Sequence, residues 1–301
     1  MIHRLISHNG QLLPVEDARL SPGQEGLING WGLFTTLRTF HGQLFAFERH
    51  WRRLQRDAKR VHIPLVQDPE RIYADVCEVI RANQAQESAV RIYIIWNRTS
   101  MWHSDEPFPP VDIVITSCPM PTYREPVRLD VREHCRHAAS PLAGVKTIAW
   151  INNVWNLHEA KERGFDEVVL LNERGEVSEC TAANLLAVRA GEVLTPPLSS
   201  GCLAGITREV LLEISPRAGI PIREAVLKPE DLYAADEVLI SSTNRNLIGV
   251  SEVAGHKIPV APGPMTRKLS KLFSEYVDED LARSSGSVRP PEQPIAKPSG
   301  R

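Results

Sequence analysis

Three prolines crowd into nine residues at Cys118-Pro119-Met120-Pro121-Thr122-Tyr123-Arg124-Glu125-Pro126. Proline offers no amide hydrogen, so neither a helix interior nor a central strand runs through this stretch. It divides the chain into a first domain at 1–118 and a second at 127–281, joined by a linker at 119–126. The 301 residues suffice to bury a core in each half. From residue 282 onward the chain holds Ser, Gly, Pro and Arg with almost no large apolar side chain, and a disordered tail is expected there.

Composition narrows the function classes. A hydrophobic fraction of 42% and a charged fraction of 24% are those of a soluble globular protein. A net charge of -2 leaves no electrostatic footprint for nucleic acid or an anionic membrane, and neither partner is expected. No apolar run reaches transmembrane length, and the opening Met1-Ile2-His3-Arg4-Leu5-Ile6-Ser7 lacks a signal peptide's apolar core. A cytoplasmic location is the expectation. Cys77, Cys118, Cys135, Cys180 and Cys202 are odd in number and widely spaced, which suggests neither disulfides nor a metal site. His134-Cys135-Arg136-His137 reads as the end of a half-exposed strand rather than a metal cluster.

Periodicity supplies the elements. Asn9-Gly10 joins two short strands, the second through Leu12-Leu13-Pro14-Val15. Gly23, Gly26, Gly30 and Gly32 punctuate a loop that enters a strand at 33–40, which turns at His41-Gly42 and returns over 43–47. Trp51, Leu54, Ala58 and Val61 recur at helical spacing and predict a helix over 48–61; Pro69 opens another over 69–84. Apolar strands follow at 89–96 and 111–116. In the second half a strand at 127–135 precedes a helix at 153–163, closed by Gly164. Hairpins over 166–179 and 184–194 lead to a helix starting at Ile206. A short helix from Pro229 then precedes a strand from Glu237 into the polar loop Ser242-Thr243-Asn244.

Several residues could carry chemistry. Lys146 stands among Leu142, Val145 and Ile148, whereas lysine ordinarily sits in water with a pKa of about 10.4. Schiff-base chemistry is one reason for such a placement; a stem laid across apolar surface with its charge outside is the other. Glu179 closes a hairpin strand, either as a fixed carboxylate or as a surface charge. Arg53 shares a helix face with His50, next to Arg49, Arg52 and Arg56, where a solvated basic face is the alternative. The glycine-bearing loop 201–205 leads into Ile206-Thr207, and the free N–H groups of a helix start make an anion site there cheap. Arg38 and Arg98 lie near strand-to-loop boundaries, as candidate carboxylate ligands or ordinary surface arginines.

Gly32-Leu33-Phe34-Thr35-Thr36-Leu37-Arg38, His50-Trp51-Arg52-Arg53-Leu54 and Lys146 with Asn152-Asn153-Val154 come first in chain order. Val177-Ser178-Glu179-Cys180-Thr181-Ala182-Ala183-Asn184-Leu185, Gly205-Ile206-Thr207-Arg208-Glu209 and Ser241-Ser242-Thr243 follow. In this order, over most of residues 20–260, they resemble the fold-type IV pyridoxal phosphate enzymes: branched-chain aminotransferases, D-amino acid aminotransferases and aminodeoxychorismate lyases.

The resemblance implies a mixed α/β (α+β) fold of two domains, a smaller N-terminal α/β domain and a larger, β-rich C-terminal domain with helices. It implies pyridoxal 5'-phosphate as cofactor, held as a Schiff base by Lys146, which also moves the proton at the substrate α-carbon. Glu179 would pair with the pyridine nitrogen. Arg53, the Ile206 and Thr207 backbone, and Thr243 would hold the phosphate. Phe34, Arg38, Arg98 and Arg245 would face substrate, Arg98 falling where the D-amino acid enzymes carry a carboxylate-binding arginine. No metal is implied. The substrates would be an amino acid and a 2-oxo acid, and the assembly a homodimer.

Departures from the pattern bear on the reaction. Cys180 replaces a glycine usual in the branched-chain and D-amino acid enzymes, and Glu179-Cys180 with Phe34-Thr35-Thr36 resembles the lyases. Trp31-Gly32 replaces a common Asp-Gly, and Asn244-Arg245-Asn246 departs from the branched-chain loop. Three readings follow. The preferred one is a class IV aminotransferase. The second is a 4-amino-4-deoxychorismate lyase releasing 4-aminobenzoate and pyruvate, and the third is a non-catalytic homologue.

Overall fold

The computed structural model describes residues 1–97 and 109–285. Strands β1 (Leu5–His8) and β2 (Gln11–Pro14) meet through Asn9 and Gly10, at φ 51° and 80°, the left-handed pair that a two-residue hairpin turn needs. The loop expected next contains a short helix, α1 (Glu25–Ile28), before β3 (Gly32–Phe40) and β4 (Gln43–Leu44). Helices α2 (Phe47–Arg60) and α3 (Pro69–Ala82) follow, the latter started by Asp68, whose carboxylate accepts the Glu70 N–H at 3.2 Å. Strands β5 (Ser88–Trp96) and β6 (Val111–Pro119) complete an antiparallel sheet in the order β2-β1-β6-β5-β3-β4.

The two-residue period of a strand decides what each face of this sheet meets. Leu33, Leu37, Ile92 and Ile94 pack under α2 and α3 against Trp51, Leu54, Val76 and Val79. The intervening residues Phe34, Thr36 and Arg91 point the other way and line a cavity. Phe34 lies opposite Tyr93 and Thr36 opposite Arg91 in the β3–β5 register.

Residues 120–126 then carry the chain to the second half, which contains β7 (Val127–Arg132), α4 (Ile151–Glu162), β8 (Glu167–Leu171) and β9 (Val177–Cys180). It continues with β10 (Asn184–Arg189), β11 (Glu192–Thr195), α5 (Ile206–Ile214), β12 (Ile222–Glu224) and α6 (Pro229–Tyr233). It ends with β13 (Glu237–Ser242), β14 (Asn246–Val253), β15 (His256–Lys257) and α7 (Pro264–Ser285). The strands order as β12-β11-β10-β13-β14-β7-β8-β9, with β15 on β14 and β7 parallel to both its neighbours.

One face of this sheet buries Leu129, Val169, Leu185 and Ile240. The other meets α5 and α7 through Leu186, Leu239, Val210 and Leu269. Phe45, from the first half, enters that second core and packs edge-on against Phe273 with ring centroids 5.7 Å apart. The two sheets therefore share an apolar seam as well as a connecting segment.

Besides α1, the structure differs from expectation at two further places. The strand expected over 127–135 stops at Arg132, and residues 134–137 leave the sheet; Cys135, Arg136 and His137 enter the cavity wall instead of ending a half-exposed strand. Helix α7 runs to Ser285, past the point where the tail was expected to begin. Residues 286–301 of that tail lie outside the described residues. No described helix is long and apolar enough to cross a membrane. No group of three or more His, Cys, Asp or Glu side chains suited to a metal ion occurs among the described residues.

Candidate active site

A cavity of about 600 Å³ opens between the two halves, with β3, β5 and α2 supplying one wall and the loops of the second half the other. Lys146 belongs to the second half yet is stitched to the first. Its carbonyl accepts the Phe34 N–H at 3.1 Å, and the Ile148 N–H donates to the Gly32 carbonyl at 3.0 Å. Leu33 and Thr147 form a bridge, and the Lys146 N–H donates to Asp57 Oδ2 at 3.3 Å. Gly32 is needed for this approach, because a Cβ there would lie 2.6 Å from both Ile148 Cδ1 and the Ile94 carbonyl.

Backbone pinning of this kind aims the Lys146 side chain into the cavity. Nζ lies 4.6 Å from the centroid of the Phe34 ring and 5.5 Å from that of Trp150. Burial among these rings, followed by repulsion from Arg53, lowers its pKa to about 7, with Glu179 opposing the shift. Near neutrality a large share of the amine is therefore unprotonated and nucleophilic.

Glu179, on β9, is held at both carboxylate oxygens. Oε1 accepts from Arg136 Nε at 3.0 Å, and Oε2 accepts the Leu203 N–H at 3.0 Å. Arg136 also donates to Asn153 Oδ1 at 3.1 Å, and Asn153 donates to the Thr181 carbonyl at 2.6 Å. Helix α4 thereby fixes the direction of a β9 carboxylate. Arg136 went unrecognised at the sequence level because it lay inside a run read as strand end.

Helix α2 presents His50, Arg53 and Asp57 on one buried face. Arg53 donates to Thr35 Oγ1 at 2.9 Å and to the Ala204 carbonyl at 3.3 Å, which brings it to the entrance of α5. Burial lowers the Arg53 pKa to about 10, partly offset by Asp57. His50 Nδ1 lies 2.7 Å from Thr35 Oγ1, and burial holds its pKa well below the ordinary histidine value. Helix α5 starts at Gly205 without a side-chain cap, and Ile206 and Thr207 line the cavity, so the first N–H groups of α5 are available to an anion. The turn after β13 brings Thr243 to the same cavity.

The substrate-facing candidates separate. Phe34 lines the cavity beside Lys146. Arg245 also lines it, but its guanidinium donates to buried Glu167 at 2.9 Å and to the Ala182 carbonyl at 3.1 Å, over the Tyr123 ring. That charge is spent inside the protein. Arg38 is not part of the cavity wall: it donates to Asn246 Oδ1 at 3.1 Å and lies 4.3 Å from the Phe40 ring centroid. On β3 its period is that of Phe34 and Thr36, but it stands one position too far along the strand. Arg98 lies outside the described residues. Arg91, which no spacing singled out, does line the cavity.

The family described as amino-transferase class IV matches residues 32–253. The chain belongs to the class IV aminotransferases. It is 27% identical over 278 residues to the branched-chain-amino-acid aminotransferase of Salmonella typhimurium, covering 88% of this chain and 90% of that one. It is 28% identical over 278 residues to the D-alanine aminotransferase of Staphylococcus haemolyticus, covering 90% of this chain and 96% of the other. The solved branched-chain aminotransferase of the archaeon Thermoproteus uzoniensis, crystallised with norvaline, superposes with a TM-score of 0.85 at 27% identity, over 96% of this chain and 99% of that one.

As a class IV aminotransferase the protein uses pyridoxal 5'-phosphate and transfers an amino group between an amino acid and a 2-oxo acid. The cavity fits that cofactor. Its wall carries one carboxylate, Glu179, against four guanidinium groups and two lysines, Lys146 and Lys161, which suits an anionic ligand. Ser241 Oγ and Asn244 Oδ1, next to Thr243, are buried with no protein hydrogen-bond partner. The aminotransferase names of these relatives put transamination ahead of the lyase reading.

Proposed function

We propose that this class IV aminotransferase works through Lys146, with Glu179, Arg53, Ile206, Thr207 and Thr243 holding the cofactor and Phe34 bordering the substrate. The observation that carries the reading is the shared cavity: an amine whose pKa is lowered to about 7 faces the same space as a fixed carboxylate and an uncapped helix start. Pyridoxal phosphate, when bound, supplies an aldehyde that takes up amines and a ring that delocalises the electrons left when the α-proton departs. Arg53, the first N–H groups of α5 and Thr243 are the donors suited to its phosphate. Glu179, kept in direction by Arg136 and the Leu203 N–H, is the carboxylate that would keep its ring nitrogen protonated.

Lys146 has two tasks. It secures the cofactor between turnovers, and during turnover its neutral amine takes the proton from the substrate α-carbon and later returns it. Phe34 and Trp150 flank the amine and limit water around it. Substrates are an amino acid and a 2-oxo acid in the cytoplasm, and the working form is a homodimer. The exposed apolar face of α4, Ile151, Val154 and Trp155, supports the pairing of copies.

Borohydride reduction of the cofactor-loaded protein followed by peptide mapping tests the reading. The reduced cofactor is expected on the peptide containing Lys146, and Lys146→Ala should cut amine transfer by at least about a thousandfold. Label on a different lysine, or normal turnover by Lys146→Ala, would overturn it.

A further inference from the structure

Three buried polar side chains meet behind the cavity wall, where the apolar face of β3 packs on α2. Leu33, Thr35 and Leu37 alternate toward that helix, so Thr35 places a hydroxyl in a row of leucines. Thr35 is 0% exposed, and His50 and Arg53, three apart on α2, are 1% and 6% exposed. Polar groups so placed must satisfy one another. Thr35 Oγ1 lies 2.9 Å from Arg53 Nη2 and 2.7 Å from His50 Nδ1.

The protons available put these contacts in order. A guanidinium only donates, so Oγ1 accepts from Arg53. The hydroxyl has one hydrogen of its own, and the ring nitrogen of His50 is the neighbour placed to take it. Nδ1 is then an acceptor, and His50 carries its proton on Nε2. A histidinium, or the opposite tautomer, would aim a second N–H at Oγ1 and strand the hydroxyl hydrogen. Burial, followed by repulsion from Arg53 and Lys146, keeps the ring neutral. No protein contact at Nε2, which is buried without a partner, pulls the proton the other way.

Donation therefore runs from Arg53 through Thr35 to His50. It ties one edge of the guanidinium to β3, while Nη1 reaches the Ala204 carbonyl at 3.3 Å, immediately before the start of α5. Two anchors on different nitrogens set the plane of the group, and its charge stands at the cavity wall beside Ile206 and Thr207. Thr35 and His50 do not themselves line the cavity.

We infer that Thr35 and His50 are positioning residues for an anion at the entrance of α5: His50 sets the direction of the Thr35 hydroxyl, Thr35 sets the plane of Arg53, and Arg53 meets the anion. The assignment rests on the reading that Arg53 and the start of α5 hold the cofactor phosphate.

The test compares the full-length wild type with Thr35→Val, which keeps the shape and removes the hydroxyl, and Thr35→Ser, which restores it. Each is reconstituted with pyridoxal phosphate and, separately, with pyridoxal, and affinity is read from the visible absorbance. Thr35→Val is expected to weaken pyridoxal phosphate by about tenfold or more and pyridoxal by less than about twofold, with recovery in Thr35→Ser. A packing role alone would move both ligands together, so equal weakening, or none, in a chain whose wild type prefers the phosphate form would overturn the inference and leave the phosphate reading standing. A wild type that holds pyridoxal as tightly as pyridoxal phosphate would sink both. A second measurement needs no variant of Thr35: the nitrogen-15 spectrum of wild type near neutral pH, with the His50 signals identified by their absence from His50→Asn, should show Nε2 protonated and Nδ1 bare. A proton on Nδ1 would overturn the inference whatever the affinities.

Discussion

Lys146 carries a measurable signature of its surroundings. A surface lysine is neutral at pH 7 in only about one molecule in a few thousand, whereas an amine with a pKa of about 7 is neutral in half. Cofactor-free protein treated with formaldehyde and cyanoborohydride should therefore modify Lys146 first, with a rate that rises through pH 7; a midpoint above pH 9 would contradict the burial described. The same shift has a stability consequence. Between about pH 7 and pH 10.5 the unfolded chain binds more protons at this position than the folded one, so stability of the cofactor-free protein should rise with pH across that window, and the cost of burying the charge is fully present below pH 7. Lys146→Met should flatten that part of a thermal-midpoint profile and raise its acidic end. At this scale a lone lysine among apolar neighbours was readable from the chain. Arg91 was not: it occupies an alternate position of a strand, where an outward surface arginine looks the same until Phe34 and Thr36 are seen on the same face.

Between elements, the decisive contact is the edge that β3 offers to the Lys146 segment. Gly32→Ala places a methyl 2.6 Å from the Ile94 carbonyl and from Ile148 Cδ1, so one side of the contact must move. The expected cost is about 1–3 kcal/mol in denaturant unfolding, together with slower Lys146 modification, since the displaced segment carries the lysine. A variant with unaltered stability and unaltered reactivity would mean that the glycine is incidental. The helical period of α2 correctly placed His50 and Arg53 together, yet Asp57, one turn further, was left out. Its job is to accept a backbone N–H from a segment 89 residues away, a relation no local pattern encodes. The glycines at the entrance of β3 carried a similar ambiguity, between a plain turn and a close approach, which only the neighbouring chain resolves.

At the level of the whole molecule, the proline-rich segment marked where one sheet ends and the other begins, while the seam between them was hidden. Phe45 and Phe273 are far apart in sequence, and α7 was overlooked although Leu269, Phe273, Val277 and Leu281 repeat at a helical spacing and are buried. Pairing of two copies through the exposed face of α4 predicts twice the chain mass in sedimentation equilibrium, and Ile151→Asp with Trp155→Asp should shift it toward a single chain. An unshifted mass would move the interface elsewhere. The most direct test of the central claim, that the cavity around Lys146 transfers amines, is to mix the yellow, cofactor-loaded protein with a panel of L- and D-amino acids and no oxo acid. Loss of the visible absorbance with release of one 2-oxo acid per site is predicted. Inertness to every amino acid, with release of 4-aminobenzoate from aminodeoxychorismate, would contradict it.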